Sequence, residues 1–203
     1  MFTGIIECTG KILSIEQEEQ NSILRIQSDI SSELKIDQSV SHNGVCLTVT
    51  SVDGNTHTTT AIHETLEKAS LGEWKVGDEI NLERCMPMNG RFDGHIVQGH
   101  VDQVGICEEV QDEKGSWRFT ISYDPALKNI TVEKGSICVN GISLTVVDSQ
   151  EGRFSVAIIP YTFEHTNFKT LQEGQKVNLE FDILGKYIQK LFAQNNYLSA
   201  SQG

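Results

Sequence analysis

An internal duplication constrains the fold of this chain more than any other feature of its sequence. Residues 43–49, Asn-Gly-Val-Cys-Leu-Thr-Val, return as residues 140–146, Asn-Gly-Ile-Ser-Leu-Thr-Val, at an offset of 97 residues (140 − 43). The same offset aligns residues 65–67 with 162–164 and residues 81–83 with 178–180. A period this long exceeds that of solenoid repeats, so it predicts two similar domains with two similar pockets.

Composition excludes several classes of function. The 203 residues carry a formal net charge of −12 with only 16 Lys and Arg, which argues against binding to nucleic acid or to an anionic membrane. The five cysteines lack a Cys-x-x-Cys pair, and no stretch resembles a signal peptide or a membrane span. We therefore expect a soluble, cytoplasmic protein with reduced thiols.

Short apolar runs that alternate with polar residues predict β-strands, as in residues 22–26, 45–49 and 117–121. Turn signals such as Asp53-Gly54 and Lys134-Gly135 separate these runs at intervals typical of small barrels. Two short helices are expected in each half, near residues 28–34 and 64–69 and at the matching places near 125–130 and 162–167. The sequence predicts an all-β fold of two tandem six-stranded barrels.

The domain boundaries follow from the repeat and from the segments outside it. Residues 1–94 form the first predicted barrel, with an aperiodic linker at about 86–94, and residues 95–182 form the second. After residue 182 the apolar residues fall at helical spacing, which predicts an amphipathic helix and tail over 183–203. This helix could dock on its own barrel or pack against a sister subunit, and its spacing favours neither.

Differences between the halves indicate where two similar pockets have separate tasks. Cys46 is replaced by Ser143, and Cys85 is replaced by Asp182. Thr48 and Thr145 lie two residues beyond Cys46 and Ser143, so each pair shares one face of its strand and can contact one ligand. As isolated threonines they would be ordinary strand formers, and Cys46 would be an ordinary small buried residue with a structural or contact role.

Two histidines, His95 and His100, flank a short segment with a glycine beside each of them. No third ligand at a characteristic spacing supports a metal site. Residues five apart in a strand face opposite sides, which favours one pocket histidine, His100, suited to acid–base chemistry near neutral pH. No phosphate-binding loop, dinucleotide-binding motif or hydrolase nucleophile motif occurs, so we expect no cofactor.

Four segments of the chain closely resemble the riboflavin synthase family of the α-chain type. They are residues 1–7, 44–49, 94–102 and 140–146, and the resemblance extends over the whole chain, including the linker and the terminal helix. The resemblance implies two Greek-key barrels and a homotrimer assembled through the carboxy-terminal helices. It also implies dismutation of 6,7-dimethyl-8-ribityllumazine to riboflavin and 5-amino-6-(D-ribitylamino)uracil, and adds lumazine synthase as a candidate partner.

The resemblance also implies which residues line the two substrate pockets. The first pocket would be lined by Gly4, Ile5, Ile6, Cys46, Leu47, Thr48, Thr60, Ala61, Ile62, His63, Glu64 and Thr65. The second would be lined by Gly99, His100, Val101, Lys134, Ser143, Leu144, Thr145, Ala157, Ile158, Ile159, Pro160, Tyr161 and Thr162.

The implied roles within these pockets centre on proton transfer. His100 is expected to move the proton, aided by Ser143 and Thr145. Asp182 and Lys134 would give electrostatic support, and Cys46 would act as a contact or a transient nucleophile. The family builds its working site between the first barrel of one subunit and the second barrel of a neighbour, so Cys46 would face His100 and Ser143 across an interface.

Two alternatives compete with this hypothesis. Relatives of the family bind lumazine or flavin as optical antennae without catalysis, and they share the fold. The residues Thr48, Thr145, Ser143 and His100 favour two equipped pockets, which a single-site binder would not need. A flavin-binding barrel of a reductase is disfavoured because 203 residues leave no room for a nicotinamide domain.

Overall fold

Two closed, antiparallel β-barrels of six strands each account for most of the chain in this computed structural model, which describes residues 1–200, with side chains through residue 194. The predicted all-β fold with tandem barrels is confirmed. The strands of the first barrel are β1 (Cys8–Glu18), β2 (Asn21–Gln27), β3 (Ser39–His42), β4 (Val45–Asp53), β5 (Thr56–Ala61) and β6 (Glu79–Arg84). The strands of the second are β7 (Gln103–Asp112), β8 (Trp117–Ser122), β9 (Ser136–Val139), β10 (Ile142–Gln150), β11 (Arg153–Ile158) and β12 (Lys176–Phe181).

Helices are short except at the carboxy terminus, and each half has three of them where the sequence predicts two, because a 3₁₀-helix directly follows the α-helix of each half. The proposed division of the chain at residues 94 and 95 falls between β6 and β7, and the tail beyond residue 200 lies outside the described residues. The α-helices are α1 (His63–Lys68), α2 (Pro160–His165) and α3 (Ile183–Ala200), and the 3₁₀-helices are Ser31–Glu33, Ser70–Glu73, Pro125–Leu127 and Asn167–Lys169.

Strand order is the same in both barrels and has Greek-key connectivity. The first barrel runs β1-β2-β5-β4-β3-β6 around its circumference, and the second repeats this order as β7-β8-β11-β10-β9-β12. Bulges lie at matching places, between Ile12 and Ser14 in β1 and between Cys107 and Glu109 in β7. Such bulges bend a strand and let a small sheet close on itself, so each barrel encloses its own apolar core.

The two barrels meet at their Asn-Gly hairpin turns. Asn43 and Gly44 have φ of 47° and 80°, and Asn140 and Gly141 have φ of 47° and 83°, which is the geometry of a two-residue type I′ turn. A Cβ added to either glycine would lie 2.8 Å from the backbone nitrogen of the other. Any side chain at these positions would therefore push the barrels apart.

Buried asparagines connect the barrels across this contact. The side-chain amide of Asn81 on β6 donates to the carbonyl of Asn140 at 2.9 Å, and that of Asn178 on β12 donates to the carbonyl of Asn43 at 2.9 Å. The side-chain oxygen of Asn81 accepts the backbone N–H of Asn167 at 2.8 Å, and that of Asn178 accepts the backbone N–H of Ser70 at 2.7 Å. Asn167 and Ser70 are the first residues of 3₁₀-helices in the opposite barrel. Because these amides are buried, the hydrogen bonds are satisfied only when both barrels are docked.

A second connection joins the segments that precede each barrel. Phe2 and Val97 form an antiparallel bridge, with N–H to carbonyl distances of 2.7 and 3.1 Å. Both side chains are fully buried in a small cluster with Cys138 and part of Cys46. The segments around Phe2 and Val97 therefore run side by side between the barrels instead of each remaining on its own barrel.

The terminal helix α3 packs one side on the second barrel and exposes the other. Lys186 forms an ion pair with Asp102 at 2.6 Å, and the side-chain amide of Gln189 donates to the carbonyl of Lys128 at 3.1 Å. In the part of the chain that the structure describes, none of the helices has the length and hydropathy of a membrane-spanning segment. The opposite side of α3 carries exposed apolar side chains, at Leu184, Tyr187, Ile188, Leu191 and Phe192.

The interior of the first barrel contains a buried histidine pair that the second barrel lacks. The offset of 97 residues places Val139 and Phe154 of the second barrel where the first has His42 and His57. Because Nδ1 of His42 lies 3.0 Å from the carbonyl of Val40, it carries the proton, and its Nε2 accepts from Nε2–H of His57 at 2.9 Å. Both rings are therefore neutral in the folded protein.

Burial, together with the neighbouring His57, lowers the pKa of His42 to about 3, and burial lowers the pKa of His57 to about 4. The unfolded chain binds these protons near pH 6.5, so stability is present above that pH and is lost as the pH falls toward the folded values. The expected loss is about 1.4 kcal/mol of unfolding free energy per histidine for each pH unit.

We predict that the double variant His42→Val with His57→Phe, which copies the second barrel, flattens the loss of stability between about pH 6.5 and pH 4. Chemical denaturation followed at several pH values measures this slope. The exposed substitution His63→Gln serves as the control. An unchanged acid slope in the double variant would contradict the assignment of neutral rings.

Candidate active site

A cavity of about 470 Å³ opens on the outer face of the first barrel where the chain from the second half crosses it. One wall comes from the start of β4 and from α1, and the other comes from the loop that precedes β7. The residues that line this cavity are Val45, Cys46, Glu64, Thr65, Lys68, Ala69, Gly99, His100 and Val101.

Gly99 brings the crossing loop against the first barrel. The backbone N–H of Cys46 donates to the carbonyl of Gly99 at 2.9 Å. Gly99 has φ of 79°, and a Cβ there would lie 2.6 Å from Cβ of Cys46. Only glycine allows this backbone approach at this φ. The next two residues, His100 and Val101, line the same cavity, and Val101 also packs against the core of the first barrel.

The internal symmetry repeats this arrangement on the second barrel. The backbone N–H of Ser143 donates to the carbonyl of Gly4 at 2.8 Å, and a Cβ on Gly4 would lie 2.6 Å from Cβ of Ser143. Ile6 packs against the core of the second barrel as Val101 packs against the first. Each barrel therefore receives the loop that precedes the other barrel.

This crossing corrects the predicted grouping of the pocket residues. The family resemblance implies that Gly4, Ile5 and Ile6 line the pocket of the first barrel, and that Gly99, His100 and Val101 line the pocket of the second. In the structure each trio lies on the opposite barrel, because the bridge between the two segments carries them past each other. His100 consequently lies beside Cys46 within one chain, whereas the prediction placed them on facing subunits.

The histidine next to Ser143 is His95, not His100. Nδ1 of His95 lies 2.7 Å from Oγ of Ser143, and His95 is half-buried, whereas His100 is exposed. The prediction treated residues 95–100 as an alternating strand. Here they form an irregular segment with one bridge at Val97, so the alternation does not hold. Gly94, directly before His95, was the signal that could have identified it, because a Cβ there would lie 2.9 Å from Cβ of Ser143.

Electrostatics separate the roles that these groups can take. Burial lowers the pKa of His95, and the carboxylate of Asp182 opposes this effect. A neutral His95 can accept the Ser143 hydroxyl proton through Nδ1, and Asp182 favours the cation that would result. Asp182, His95 and Ser143 thus form a proton-accepting group at the second barrel.

Cys46 is half-buried, and burial raises the pKa of its thiol, against a hydrogen bond involving Ser39 that lowers it. A protonated thiol is a poor nucleophile, so this environment favours a contact role for Cys46. Thr48 and Thr145 are exposed on the outer faces of β4 and β10, the faces that carry Cys46 and Ser143. The predicted pairing of these side chains on one face agrees with the strand geometry.

The other predicted residues divide between the cavity rim and the barrel cores. Glu64 and Thr65 line the cavity, whereas Ala61 and Ile158 point into the cores, and Lys134 is exposed in a turn with φ of 65°. Within the described residues, no group of three or more His, Cys, Asp or Glu side chains is arranged to hold a metal ion. Leu47 and Leu144 are buried; Thr60, Ile62, His63, Ala157, Ile159, Pro160, Tyr161 and Thr162 lie at the ends of β5 and β11 and in the helices that follow.

The rims of the two pockets differ in chemistry. The first carries an ion pair between Glu64 and Lys68 at 2.8 Å, whereas the matching positions in the second, Tyr161 and His165, stack with ring centroids 4.1 Å apart. Trp117 and Phe163, which pack against the core of the second barrel, are also stacked, with ring centroids 3.9 Å apart. The two sites thus share a backbone plan, with a charged pair beside the first-barrel cavity and an aromatic pair at the equivalent positions of the second barrel.

Comparison with known proteins agrees with this duplicated architecture. A family model described as the lumazine binding domain matches residues 3–85 and again residues 98–182. The chain is 44% identical over 191 residues to the riboflavin synthase of Actinobacillus pleuropneumoniae, covering 94% of this chain and 89% of that protein. It is 38% identical over 197 residues to the riboflavin synthase of Bacillus subtilis (strain 168), covering 97% and 92%.

A solved structure of LumP complexed with riboflavin shares the fold. It matches with a TM-score of 0.82 at 24% identity and covers 89% of this chain and 99% of that one.

We predict that Asp182→Asn lowers the pKa of His95 further, because the substitution removes the negative charge that now opposes the effect of burial. A titration of the imidazole by NMR measures this shift directly. Asp93→Asn, an exposed substitution two residues from His95, is the matched control. Equal shifts in the two variants would contradict a specific action of Asp182.

Proposed function

This chain belongs to the riboflavin synthase family, and we propose that it catalyses the dismutation of two molecules of 6,7-dimethyl-8-ribityllumazine. One molecule gives a four-carbon unit to the other, which forms riboflavin and leaves 5-amino-6-(D-ribitylamino)uracil. The atoms of two substrates equal those of the two products, so the reaction needs no external oxidant or reductant. Since a group passes between two substrates, the enzyme would be a transferase.

The observation that carries this proposal is the pair of matching sites on one chain. Cys46 and Ser143 lie at equivalent places in the two barrels. The backbone N–H of each donates to the carbonyl of a glycine in a crossing loop, Gly99 for Cys46 and Gly4 for Ser143. A reaction whose donor and acceptor are the same compound requires two sites of one shape. Placing the two rings in contact removes translational and rotational freedom, and such orientation supplies a large part of the rate.

The differences between the sites support a division of labour. Proton removal from the C7 methyl group of one lumazine is assigned to the second-barrel site, where neutral His95 can draw the proton through Ser143. Asp182 stabilises the cation on His95, and Thr145 shares the strand face with Ser143. His100 lines the first-barrel cavity, and its assigned role is proton exchange with the other lumazine. Cys46, in the same lining, is assigned a contact with that lumazine.

Assembly of the working site calls for more than one subunit. The two pockets lie on separate barrels, so a first-barrel pocket of one subunit would face a second-barrel pocket of another. The apolar side of α3, exposed between 53% and 66% at its five large residues, supports packing between subunits as a homotrimer. Cytoplasmic location fits the absence of disulfides among the five described cysteines, and lumazine synthase stays a candidate partner by family resemblance.

A second candidate function is the binding of lumazine or flavin without turnover. The shared fold with LumP complexed with riboflavin favours it, and fold alone does not separate binders from enzymes. The identity of 44% to a riboflavin synthase, against 24% to LumP, supports the catalytic function. The pairing of His95 with Ser143 supports it as well, since binding alone needs no proton acceptor.

We predict that the purified chain converts 6,7-dimethyl-8-ribityllumazine into equal amounts of riboflavin and the pyrimidine with no cofactor added. Absorbance and chromatography follow both products. Replacing His95 or His100 with Gln should lower kcat more than it weakens lumazine binding, because each change removes proton transfer and preserves pocket shape. Asp93→Asn is the surface control, and tight binding without product would leave the binding function.

We predict that Leu191→Glu on the apolar side of α3 converts the assembly into monomers, because burying a carboxylate between subunits is strongly unfavourable. Sedimentation velocity measures the change. Lys190→Glu makes a larger change of charge on an exposed polar residue of the same helix and should leave the assembly intact. A monomer in the unaltered protein would overturn the trimer proposal.

A further inference from the structure

Each crossing loop is held by a buried carboxylate at its base. Glu180 on β12 accepts backbone N–H groups from Gln98 at 2.7 Å, Gly99 at 2.8 Å and His100 at 3.0 Å. Three donors converge on one carboxylate, and the side chain is buried among them. Hydrogen bonds of this kind to a charged acceptor are stronger than those between neutral groups, so they fix the backbone of the loop.

Glu83 on β6 occupies the equivalent place in the first half. It accepts the backbone N–H of Thr3 at 2.6 Å, the hydroxyl of Thr3 at 2.8 Å and the backbone N–H of Gly4 at 2.9 Å. The offset of 97 residues relates Glu83 to Glu180, and both are buried. The two carboxylates therefore provide a matched pair within one molecule, one for each loop.

Because the loops cross, each carboxylate fixes a loop that lies on the other barrel. Glu180 belongs to a strand of the second barrel, yet the residues that it fixes, Gly99 and His100, line the cavity of the first barrel. Glu83 belongs to the first barrel, and Gly4, which it fixes, contacts Ser143 of the second. A group in one barrel thus sets the shape of the pocket in the other.

Helix α3 adds a second support to the loop of the first pocket. Asp102, at the end of that loop, accepts the backbone N–H of Phe181 at 2.8 Å and pairs with Lys186 of α3. Burial raises the pKa of Glu180, and the positive charge of Lys186 opposes this effect. The loop beside Cys46 is therefore fixed from β12 and from α3.

We propose that Glu180 is a positioning residue for the first-barrel pocket and that Glu83 is a positioning residue for the second. Glu180 is not among the residues that line the Cys46 cavity, and Glu83 forms its hydrogen bonds to Thr3 and Gly4 and not to Ser143. Each carboxylate acts through the backbone of the loop that it holds. The proposal rests on the proposed function only in calling these pockets the substrate sites. The shape control itself is a property of the chain without substrate.

Alkylation of Cys46 reports on the first loop directly. Gly99 packs against Cβ of the half-buried Cys46, so release of the loop should raise the exposure of this side chain to iodoacetamide. Peptide mapping by mass spectrometry follows Cys46 and, in the same sample, Cys8 on β1, which is also half-buried. Glu180→Asp keeps the charge near Cys46 but is one methylene too short to reach the loop. It should raise the Cys46 rate about ten-fold relative to Cys8, through loss of a charged hydrogen bond.

Two further variants distinguish a displaced loop from a changed pKa of the Cys46 thiol and from a general loss of packing in the protein. Burial is the main cause of the raised pKa of the Cys46 thiol, and the negative charge of Glu180 adds to it. Because Glu180→Gln removes that charge, alkylation of Cys46 in this variant is measured across pH to separate thiol pKa from the limiting rate. Glu83→Asp should leave Cys46 protected. In a Ser143→Cys background the pattern should reverse, with Glu83→Asp exposing the new thiol and Glu180→Asp leaving it protected.

Kinetics test the consequence for the reaction. Glu180→Asp should raise KM about ten-fold and lower kcat, and the exposed substitution Glu18→Asp should leave both unchanged. Equal protection of Cys46 in the Glu180 and Glu83 variants would overturn the positioning roles, even if the protein makes riboflavin. Selective exposure of Cys46 in a chain that makes no riboflavin would sustain the positioning roles and remove only the proposed function.

Discussion

The contact between the two Asn-Gly turns is the constraint on which the rest of the molecule depends. At this point the backbones of Gly44 and Gly141 approach closely enough that neither position tolerates a Cβ, and buried amides of Asn81 and Asn178 reach from one barrel to the carbonyls of the other. Separating the barrels would leave these polar groups buried without partners. The docking is therefore specific in distance and in orientation, and it fixes where the loops that precede each barrel must run.

Those loops turn a duplicated domain into a pair of composite sites. A simple tandem repeat would give two self-contained pockets, each a copy of the other. Here the bridge between Phe2 and Val97 sends each loop over the neighbouring barrel, so each site has walls from both halves. Divergence at a few positions then suffices for asymmetry, as with Ser143 beside His95 on one side and Cys46 beside His100 on the other.

Much of the fold could be predicted from the sequence, and less of the site. The offset of 97 residues and the alternation of apolar residues determine two barrels of six strands, and helical spacing determines α3. The same spacing arguments place Cys46 with Thr48 correctly. They could not assign the loops to barrels, because that depends on a bridge between distant residues. They also missed His95, since alternation applies only to a strand and residues around Val97 form none.

Covalent continuity is not what holds the two halves together. The linker between β6 and β7 is exposed at Met88 and through residues 89–94, whereas the contacts that join the halves are buried. A protease that nicked this linker would produce two fragments, each still wrapped around the other by its leading segment. The duplicated chain therefore resembles a domain-swapped dimer whose two subunits have been joined by a linker.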